Sequence, residues 1–486
     1  MTRTHSFVRS NDADSQRLML AGACVAMAFT ALGSAQTPEQ LWIRQLGTSG
    51  VDGTAGAAAD GAGGVYVCGW TQGALGGPFQ GGWGDAWLAR YDDKGTEIWT
   101  TQFGTTGDDY GHAAAPDGAG GVYVTGGTEG SLGGPNAGGY DVFLARYAHT
   151  GNQLWTRQLG TDSADGANAA APDGAGGVYV AGDTDGSLGG PNAGGQDAWI
   201  ERYDADGIQL WTIQFGTPEK DVLTGATTDG TGGVFVSGRT AGNLDGQNAG
   251  DYDAFLARYD GDGNQVWILQ FGTSLTDDAI ACAPDKTGGV YVTGKTGGSL
   301  GGPNEGGFDI YVAHFNNAGE QIWIDQFGTP TGAEDPGGAA LDGAGGVYLV
   351  GDTSGNLGGP NAGGRDIWLA RYDADGRQTW IDQFGTSSGD SGYTAAPDGA
   401  GGLHIGGATS GNLGGPPAGL NDAWFARYSV ACGADCDGNG ALNILDFVCY
   451  QGLFEDGEPD ADCDGNGVLN ILDFICFQGA FKDGCP

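Results

Sequence analysis

Residues 158–214 read QLGTDSADGANAAAPDGAGGVYVAGDTDGSLGGPNAGGQDAWIERYDADGIQLWTIQ, and close copies of this stretch run along most of the 486-residue chain. The glycine of its Gln-(Phe/Leu)-Gly-Thr motif recurs with gaps of 57, 56, 56, 56, 56 and 57 residues. The seven positions are Gly47, Gly104, Gly160, Gly216, Gly272, Gly328 and Gly385. Self-similarity at a fixed period of this size predicts a repeat architecture.

Each copy carries four short strand signals that are separated by Gly, Asp and Asn turns. In the quoted copy these are Ala167–Ala171, Val178–Val180, Ala198–Tyr203 and Gln209–Gln214. Four strands per repeat of this length, with aromatic residues in each copy, are typical of a propeller blade.

The number of strands predicts how the ring closes. Seven third strands begin at Asp85, Asp141, Asp197, Asp253, Asp309, Asp366 and Asp422. Seven fourth strands are marked by Trp42, Trp99, Trp155, Trp211, Trp267, Trp323 and Trp380. Because the Trp42 strand precedes any complete blade and the last copy lacks a fourth strand, the N-terminal strand should complete the last blade. We therefore predict an all-β, seven-bladed β-propeller over residues 36–430.

The GGVYVxGxT and DxxLARYDxxG segments of the copies resemble the bacterial seven-bladed β-propeller-related repeats. This resemblance implies the fold and secretion, and it brings no general catalytic chemistry.

Charge and the N-terminus indicate the compartment and exclude some partners. The chain has 19 basic and 60 acidic residues, a net charge of −41, and no basic cluster that could neutralise nucleic-acid phosphates. In residues 1–35, three arginines precede the apolar run Leu18–Leu32, and the small residues Gly33-Ser34-Ala35 follow it, as in an export signal. The run is shorter than the stretch of about 20 apolar residues that a membrane-spanning helix needs. We expect secretion, and display at the cell surface is one alternative. Lipid anchoring through Cys24 is another.

Residues that recur in every blade are predicted to be structural. The Asp that opens each third strand and the Thr that closes each second strand (Thr71, Thr128, Thr184, Thr240, Thr296, Thr353 and Thr409) can bond nearby backbone groups. A further acidic set lies five residues after each motif glycine: Asp52, Asp109, Asp165, Asp221, Asp277 and Asp390, with Glu334 and Asp335 in the sixth copy. These residues could cap turns, or they could ring the channel and hold a cation. We favour the first interpretation.

Positions that differ between blades are the better candidates for recognition. The residue before each opening Asp is Gly84, Tyr140, Gln196, Tyr252, Phe308, Arg365 or Asn421, and the residue before each closing Thr is Trp70, Gly127, Asp183, Arg239, Lys295, Asp352 or Ala408. We predict a ligand face with Trp70, Phe79, Trp83, Tyr140, Tyr252, Phe308 and Arg365, whose aromatic rings could stack on sugars. Alternatively, the first blade's aromatics pack against a neighbouring module. The sequence shows neither a Ser-His-Asp grouping nor a cluster of histidines, so it does not indicate a catalytic ring.

Two copies of a twelve-residue loop motif lie in residues 431–486. Calcium loops supply oxygen ligands from positions 1, 3, 5, 7, 9 and 12, with glycine at position 6. The predicted ligands of two Ca²⁺ ions are Asp435, Asp437, Asn439, the Ala441 carbonyl, Asn443 and Asp446, and Asp462, Asp464, Asn466, the Val468 carbonyl, Asn470 and Asp473. Apolar residues at helical spacing predict helices at Leu442–Phe454 and Leu469–Phe481.

These paired loop-and-helix motifs resemble the dockerin module, which binds cohesin modules in assemblies that degrade polysaccharides. The resemblance implies a cohesin-like partner at loop positions 10 and 11, which are Ile444, Leu445, Ile471 and Leu472 here. The module also carries six cysteines, an even set that suggests three disulfides of open connectivity, with Cys432–Cys485 as a terminal clasp. Cys68 and Cys282 lie in different blades and are predicted to stay free.

The leading hypothesis is a secreted, non-catalytic binding or structural propeller that is docked or displayed through a calcium-loaded dockerin-like tail and serves in glycan capture. One alternative is a component of a polysaccharide-degrading assembly with O-glycosyl hydrolase activity, which a paired-carboxylate pocket would favour. A second alternative is a surface adhesin for protein partners.

Overall fold

A computed structural model describes residues 38–429 and, in the C-terminal part, residues 436, 444–458, 461, 463 and 468–483. The predicted signal segment 1–35 lies outside these residues. The chain from residue 38 to residue 429 forms seven four-stranded antiparallel sheets, which are the seven blades of a propeller.

The strands of each blade follow in chain order from the channel outward. After β1 (Glu39–Leu46), the first three blades are β2 (Asp52–Ala59), β3 (Val65–Thr71), β4 (Asp85–Tyr91), β5 (Glu97–Phe103); β6 (Asp109–Pro116), β7 (Val122–Thr128), β8 (Asp141–Tyr147), β9 (Gln153–Leu159); and β10 (Asp165–Pro172), β11 (Val178–Thr184), β12 (Asp197–Tyr203), β13 (Gln209–Phe215).

Blades four to six are β14 (Asp221–Thr228), β15 (Val234–Thr240), β16 (Asp253–Tyr259), β17 (Gln265–Phe271); β18 (Asp277–Pro284), β19 (Val290–Thr296), β20 (Asp309–Phe315), β21 (Gln321–Phe327); and β22 (Glu334–Leu341), β23 (Val347–Thr353), β24 (Asp366–Tyr372), β25 (Gln378–Phe384). The last blade has β26 (Asp390–Pro397), β27 (Leu403–Thr409) and β28 (Asp422–Ser429).

The N-terminal strand closes the ring, as predicted. β1 pairs antiparallel with β28, so that the last sheet has the order β1-β28-β27-β26. Gln45 makes there the contacts that the motif glutamine makes in other blades: its side-chain amide donates to Asp422, and its oxygen accepts from the Leu413 amide. The seventh blade is therefore built from both ends of the propeller, which leaves no blade incomplete.

Residues that recur in the repeat join each blade to the next. Arg146 pairs with Asp117 at 2.8 Å within its blade and donates to the Ala205 carbonyl of the next blade at 2.7 Å. Trp155 donates to that same carbonyl at 3.0 Å, and the Tyr123 hydroxyl donates to the Gly176 carbonyl at 2.6 Å. These bonds satisfy partly buried polar groups at the blade interface, so the recurrence of these residues in the copies is explained by assembly of the ring.

Every first strand carries a β-bulge, and the glycine in the middle of the second strand makes room for it. In the third blade the register shifts between Ala167 and Ala169. A Cβ added at Gly182 would lie 1.9 Å from the Gly166 carbonyl oxygen, which is closer than any real contact. A bulge places an extra residue out of the ladder and re-aims its side chain. The glycine of the GGVYVxGxT segment is therefore required by the bulge.

Most strand and helix ends differ from the predicted ones by one or two residues, and the second strand of the quoted copy runs four residues past its predicted end, to Thr184. The first strand of the quoted copy begins at Asp165 rather than Ala167, because the bulge hides its alternating pattern. The helices are α1 (Ile444–Asp456) and α2 (Ile471–Asp483), and both end two residues beyond the predicted ends. The predicted start of α2 was wrong by two residues, whereas that of α1, Leu442, lies outside the described residues. At the start of α2, the Asp473 carboxylate accepts a hydrogen bond from the backbone N–H of Asn470 at 2.7 Å. This is the contact of an N-capping residue, so Asn470 precedes the helix.

Within the described residues, no helix has the length and apolar character that crossing a membrane would need.

Candidate functional site

The seven first strands line a central channel of about 370 Å³. Alanine is the commonest residue of its wall, as at Ala57, Ala114, Ala170, Ala226 and Ala395. Such a wall offers little chemistry. The variable residues instead gather at one end of the channel, where first and third strands begin and second strands end. We call this end the mouth.

The bulge residues form a variable ring just inside the mouth that the sequence analysis missed. They are Ala55, His112, Asn168, Thr224, Ile280, Gly337 and Tyr393, and all of them line the channel. His112, Asn168 and Thr224 each bond to a carbonyl of the next blade, those of Ala167, Leu223 and Ala279, at 2.9, 2.9 and 2.6 Å. The signal was present in the sequence as a glycine inside every second strand, which is typical of a bulge in the partner strand.

A second ring, of which the sequence had singled out only Asp335, follows the opening acid of each first strand. Its members are Gly53, Tyr110, Gly166, Val222, Asp278, Asp335 and Ser391, and each pairs across the sheet with a residue before a closing Thr. The register therefore brings this ring beside the predicted recognition positions.

The two predicted variable sets meet inside single blades. Gln196 donates to Asp183 at 3.0 Å, the Arg239 guanidinium lies 5.1 Å from the centre of the Tyr252 ring, and the Lys295 ammonium lies 5.1 Å from that of Phe308. Arg365 pairs with Asp352. Both sets thus lie at the mouth, and their members form matched pairs in blades three to six.

Blades one and two make one side of the mouth aromatic. We call Trp70, Phe79, Trp83, Tyr110 and Tyr140 the aromatic arc. Asp108 connects its last three members: its carboxylate accepts from the Trp83 amide at 2.6 Å, from the Tyr140 hydroxyl at 3.0 Å and from the Tyr110 hydroxyl at 3.4 Å. Trp83 is 74% exposed and Phe79 38%. Across the described chain, ring contacts join Tyr110 and Tyr140, but none joins Trp70, Phe79 and Trp83 to one another.

Blades four to six make the opposite side charged. Arg239 pairs with Asp278 of the next blade at 3.1 Å, and Lys295 pairs with Asp335 of the next blade at 2.8 Å. Arg365 then reaches Asp335 at 2.5 Å as well as Asp352. Charged side chains therefore bond across three consecutive blades.

The environments of the two carboxyls beside Arg365 push their pKa values apart. Burial raises the pKa of Asp352 to about 6, although the charge of Arg365 opposes that rise. Burial also acts on Asp335, but hydrogen bonds and charge from Lys295 and Arg365 outweigh it and lower the pKa of that carboxyl. Asp335 is therefore charged at neutral pH, whereas Asp352 takes up a proton in mildly acidic solution.

The residues shared by all blades do structural work at the mouth. Each opening Asp of a third strand accepts from a loop amide, as Asp197 does from Ala193 at 2.8 Å. In the further acidic set, Asp165 accepts from the Thr161 amide at 2.5 Å and from its hydroxyl at 2.9 Å, and Thr184 donates to it too. Glu334 takes this place in the sixth blade. The contacts favour the turn-cap interpretation over a ring of cation ligands.

Only part of the predicted calcium loops can be placed. Asp435, Asp437, Asn439, Ala441, Asn443, Asp462, Asp464 and Asn466 lie outside the described residues. Asp446 and Asp473, at the twelfth position of each loop, are fully buried in the first turn of α1 and α2. The Asn470 side chain donates to the Val468 carbonyl at 2.7 Å. Calcium binding stays a prediction.

In each repeat of the C-terminal part, one disulfide joins the loop to its own helix. The two disulfides are Cys436–Cys449 and Cys463–Cys476, in the same position of the two repeats. The predicted clasp of Cys432 with Cys485 lies outside the described residues. Cys68 and Cys282 are free and buried, as predicted.

The predicted partner-binding residues are exposed where the structure describes them. Ile444, Leu445 and Ile471 are 71%, 59% and 68% exposed, and Val448 and Ile475 extend the same apolar surface of each helix. The side chain of Leu472 lies outside the description. Inside the module, Tyr450 stacks on Phe477 with ring centres 3.9 Å apart. The helices therefore have an aromatic core, and their first-turn residues Ile444, Leu445 and Ile471 are more than half exposed.

Comparison with known proteins supports the repeat. A family model described as "Beta-propeller repeat" matches residues 41–77. The regulatory protein FlaEY of Caulobacter vibrioides is 32% identical over 162 residues, which are 29% of this chain and 17% of that relative. The chain thus matches only a small part of the length of this relative.

Solved structures of propeller enzymes are similar at low identity. The periplasmic gluconolactonase of Pseudomonas aeruginosa aligns with 75% of this chain and 99% of its own, at 13% identity and a TM-score of 0.45. A gluconolactonase of Xanthomonas campestris aligns with 83% of this chain and 93% of its own, at 13% identity and a TM-score of 0.37. No statement about activity follows from likeness at this level. The chain is a seven-bladed β-propeller with a matching β-propeller repeat.

Proposed function

We propose that this protein is an extracellular, non-catalytic propeller that captures glycans at its mouth and is docked or displayed through a calcium-binding, dockerin-like tail. The observation that carries the proposal is the convergence of the variable residues. The shared residues bond the blades and loops to one another, while the residues that differ between blades gather at one end of the channel. A mouth with exposed aromatic rings on one side and hydrogen-bonding side chains on the other suits sugars, which stack on rings and bond through hydroxyls.

The C-terminal part supports the docking half of the proposal. Its two disulfides suit an oxidising compartment outside the cytoplasm. Exposed Ile444, Leu445, Val448, Ile471 and Ile475 give the two helices equivalent apolar surfaces, which a cohesin-like partner could cover. The buried Asp446 and Asp473 would hold calcium beside these surfaces, together with the other predicted loop ligands.

A glycan array with the full chain and calcium tests the capture proposal. Wild type should bind a saccharide class, and Trp83→Ala should weaken that binding. Ile208→Ala removes an exposed apolar residue (59% exposed) from the opposite end of a blade and is the matched control. An array without signal, or equal losses in the two variants, would contradict capture at the mouth.

Docking is tested separately by calorimetry and pull-down with the full chain. EDTA should lower the transition of the C-terminal module and leave that of the propeller unchanged. Leu445→Asp should abolish calcium-dependent capture of a cohesin-like module, whereas Gln478→Glu, an exposed change on α2, should not. A melting temperature of the C-terminal module that is unchanged by EDTA would contradict the proposed calcium sites.

A second candidate is a glycoside hydrolase, and one observation favours it. Asp335 and Asp352 lie directly opposite each other on β22 and β23, and their pKa values differ in direction, as in an acid and base pair. Because Arg365 holds both carboxyls, we prefer binding to catalysis. Release of reducing sugar that Asp352→Asn abolishes would reverse this preference.

A further inference from the structure

Three cations lie on consecutive blades at the mouth: Arg239 on blade four, Lys295 on blade five and Arg365 on blade six. We call them the basic arc. They differ in position from another recurring set of arginines, which pair with turn Asp residues at the opposite end of the blades: Arg90, Arg146, Arg202, Arg258, Arg371 and Arg427. In a chain with 19 basic and 60 acidic residues, three neighbouring cations at the variable end of a channel are unusual.

Two of the three carboxylates that pair with the basic arc are buried beneath their cations, and the third, Asp335, is exposed beside them. The side chains of Arg239, Lys295 and Arg365 are 37%, 25% and 35% exposed, whereas those of Asp278 and Asp352 are 2% and 5% exposed. Asp335 is exposed to the same degree as Arg365. The buried carboxylates fix the positions of Arg239 and Arg365, so a ligand approaching from the mouth meets mostly N–H donors.

Aromatic rings support two of the cations. Arg239 lies over Tyr252 and Lys295 over Phe308, each at 5.1 Å. A ring beneath and a carboxylate beside the cation restrict its rotamers, which lowers the entropy that a ligand must overcome to order it. The basic arc is therefore preorganised before any ligand arrives.

A planar guanidinium and an ammonium are the groups that proteins use for carboxylate and sulfate. Elsewhere the surface charge repels anions, because the chain carries a net charge of −41. An anionic group is thus favoured only where cations face outward. The mouth also carries the exposed ring of Trp83, which suits a sugar better than an acidic peptide.

We infer that the basic arc of Arg239, Lys295 and Arg365 binds the carboxylate or sulfate of an acidic saccharide at the mouth. This inference rests on the proposed glycan capture and names its ligand class. The bound anion replaces Asp335 in part of its contacts with Lys295 and Arg365. The buried Asp278 and Asp352 keep Arg239 and Arg365 in place meanwhile.

Titration calorimetry with the full chain tests the inference. The probes are polygalacturonate oligosaccharides for carboxylate, a sulfated galactan for sulfate, a neutral galactan, and poly-glutamate as an acidic peptide. We expect binding to at least one acidic saccharide, at least about tenfold tighter than to neutral galactan. The ratio between the first two probes identifies the anionic group.

Lys295→Gln is the main variant. Asp335, the partner of Lys295, still pairs with Arg365 in this variant, so its charge is not left unpaired. The variant should weaken acidic-saccharide binding about tenfold and leave neutral-galactan binding unchanged. Lys286→Gln, an exposed lysine at the other end of the same blade, is the matched control with the same charge change. The double variant Arg239→Gln with Asp278→Asn removes a second cation without leaving a buried charge, and should weaken binding further.

The outcomes separate this inference from the proposed function. Preference for neutral galactan would overturn the inference and leave glycan capture standing, whereas binding to no saccharide would overturn both. Equal losses in the Lys295 and Lys286 variants would mean that overall charge, rather than the basic arc, sets the affinity. Poly-glutamate binding as tight as that of the saccharides would overturn the ligand class.

Discussion

Gly182→Ala tests whether the second-strand glycine is what permits the bulge. The new Cβ would lie 1.9 Å from the Gly166 carbonyl oxygen and 2.8 Å from its carbon, and these are backbone atoms that cannot rotate away. Overpacking of this kind costs about 1–3 kcal/mol, and we expect a loss of about 3 kcal/mol in the free energy of unfolding. The shift of β10 that relieves the contact should also break the Asn168 bond to the Leu223 carbonyl.

The assay is urea unfolding of the full chain, followed through tryptophan fluorescence. Gly166→Ala is the matched control in the same blade, because the nearest atom to its new Cβ is an Asp183 oxygen at 4.0 Å. We expect that variant to stay within about 0.5 kcal/mol of wild type. Equal stabilities of the two variants would refute the argument that close approach, rather than glycine content in general, explains this position.

Three further predictions follow from the contacts. Tyr179→Phe removes the hydroxyl that bonds to the Gly232 carbonyl of the next blade, and should cost about 1 kcal/mol in urea unfolding; the fourth blade already has Phe235 at this place, so Phe235→Tyr should cost nothing. Burial raises the pKa of six first-strand carboxyls, those of Asp52, Asp109, Asp165, Asp221, Asp277 and Glu334, so these groups bind protons more tightly in the folded propeller than in the unfolded chain; its melting temperature in calorimetry should rise as the pH falls from neutral towards the ordinary carboxyl pKa of about 4. Asp473→Asn should remove the EDTA sensitivity of one calcium loop, and a transition as sensitive as that of wild type would contradict a ligand role for this carboxyl.

The sequence was sufficient for the blade count and the closure, because both follow from counting. Trp42 without a preceding blade and Tyr428 without a following strand could pair only with each other. The strand limits were less accurate, since β-bulges interrupt the alternation on which strand prediction relies. The α2 start was misjudged because Asn470 looked like a helix residue, although its contact with Asp473 makes it a cap.

The mouth was predicted in part. Positions that differ between copies were located by comparing the repeats, and the structure brings Arg239, Tyr252, Lys295, Phe308 and Arg365 to it. The bulge ring was missed because its residues stand among alanines in the sequence, with no local pattern. The partners across blades, such as Lys295 with Asp335, could not be predicted either, because they are 40 residues apart and depend on blade packing.

The shared acidic set shows why counting charges is insufficient. Its members are evenly spaced carboxylates that could suit a cation, yet each is buried and held by threonines of the motif, as Asp221 is by the Thr217 amide at 2.5 Å. The sequence could state the alternatives, and side-chain contacts were needed to choose between them.

Hydrogen–deuterium exchange of the full chain, with and without its tightest saccharide, tests most directly whether the variable residues at the mouth recognise the ligand. We predict protection in the second-strand ends and glycine loops of the mouth, at about residues 70–84, 239–253, 295–309 and 352–366. Protection confined to the turns at the opposite end of the blades, such as 60–64 and 92–96, would contradict the proposal.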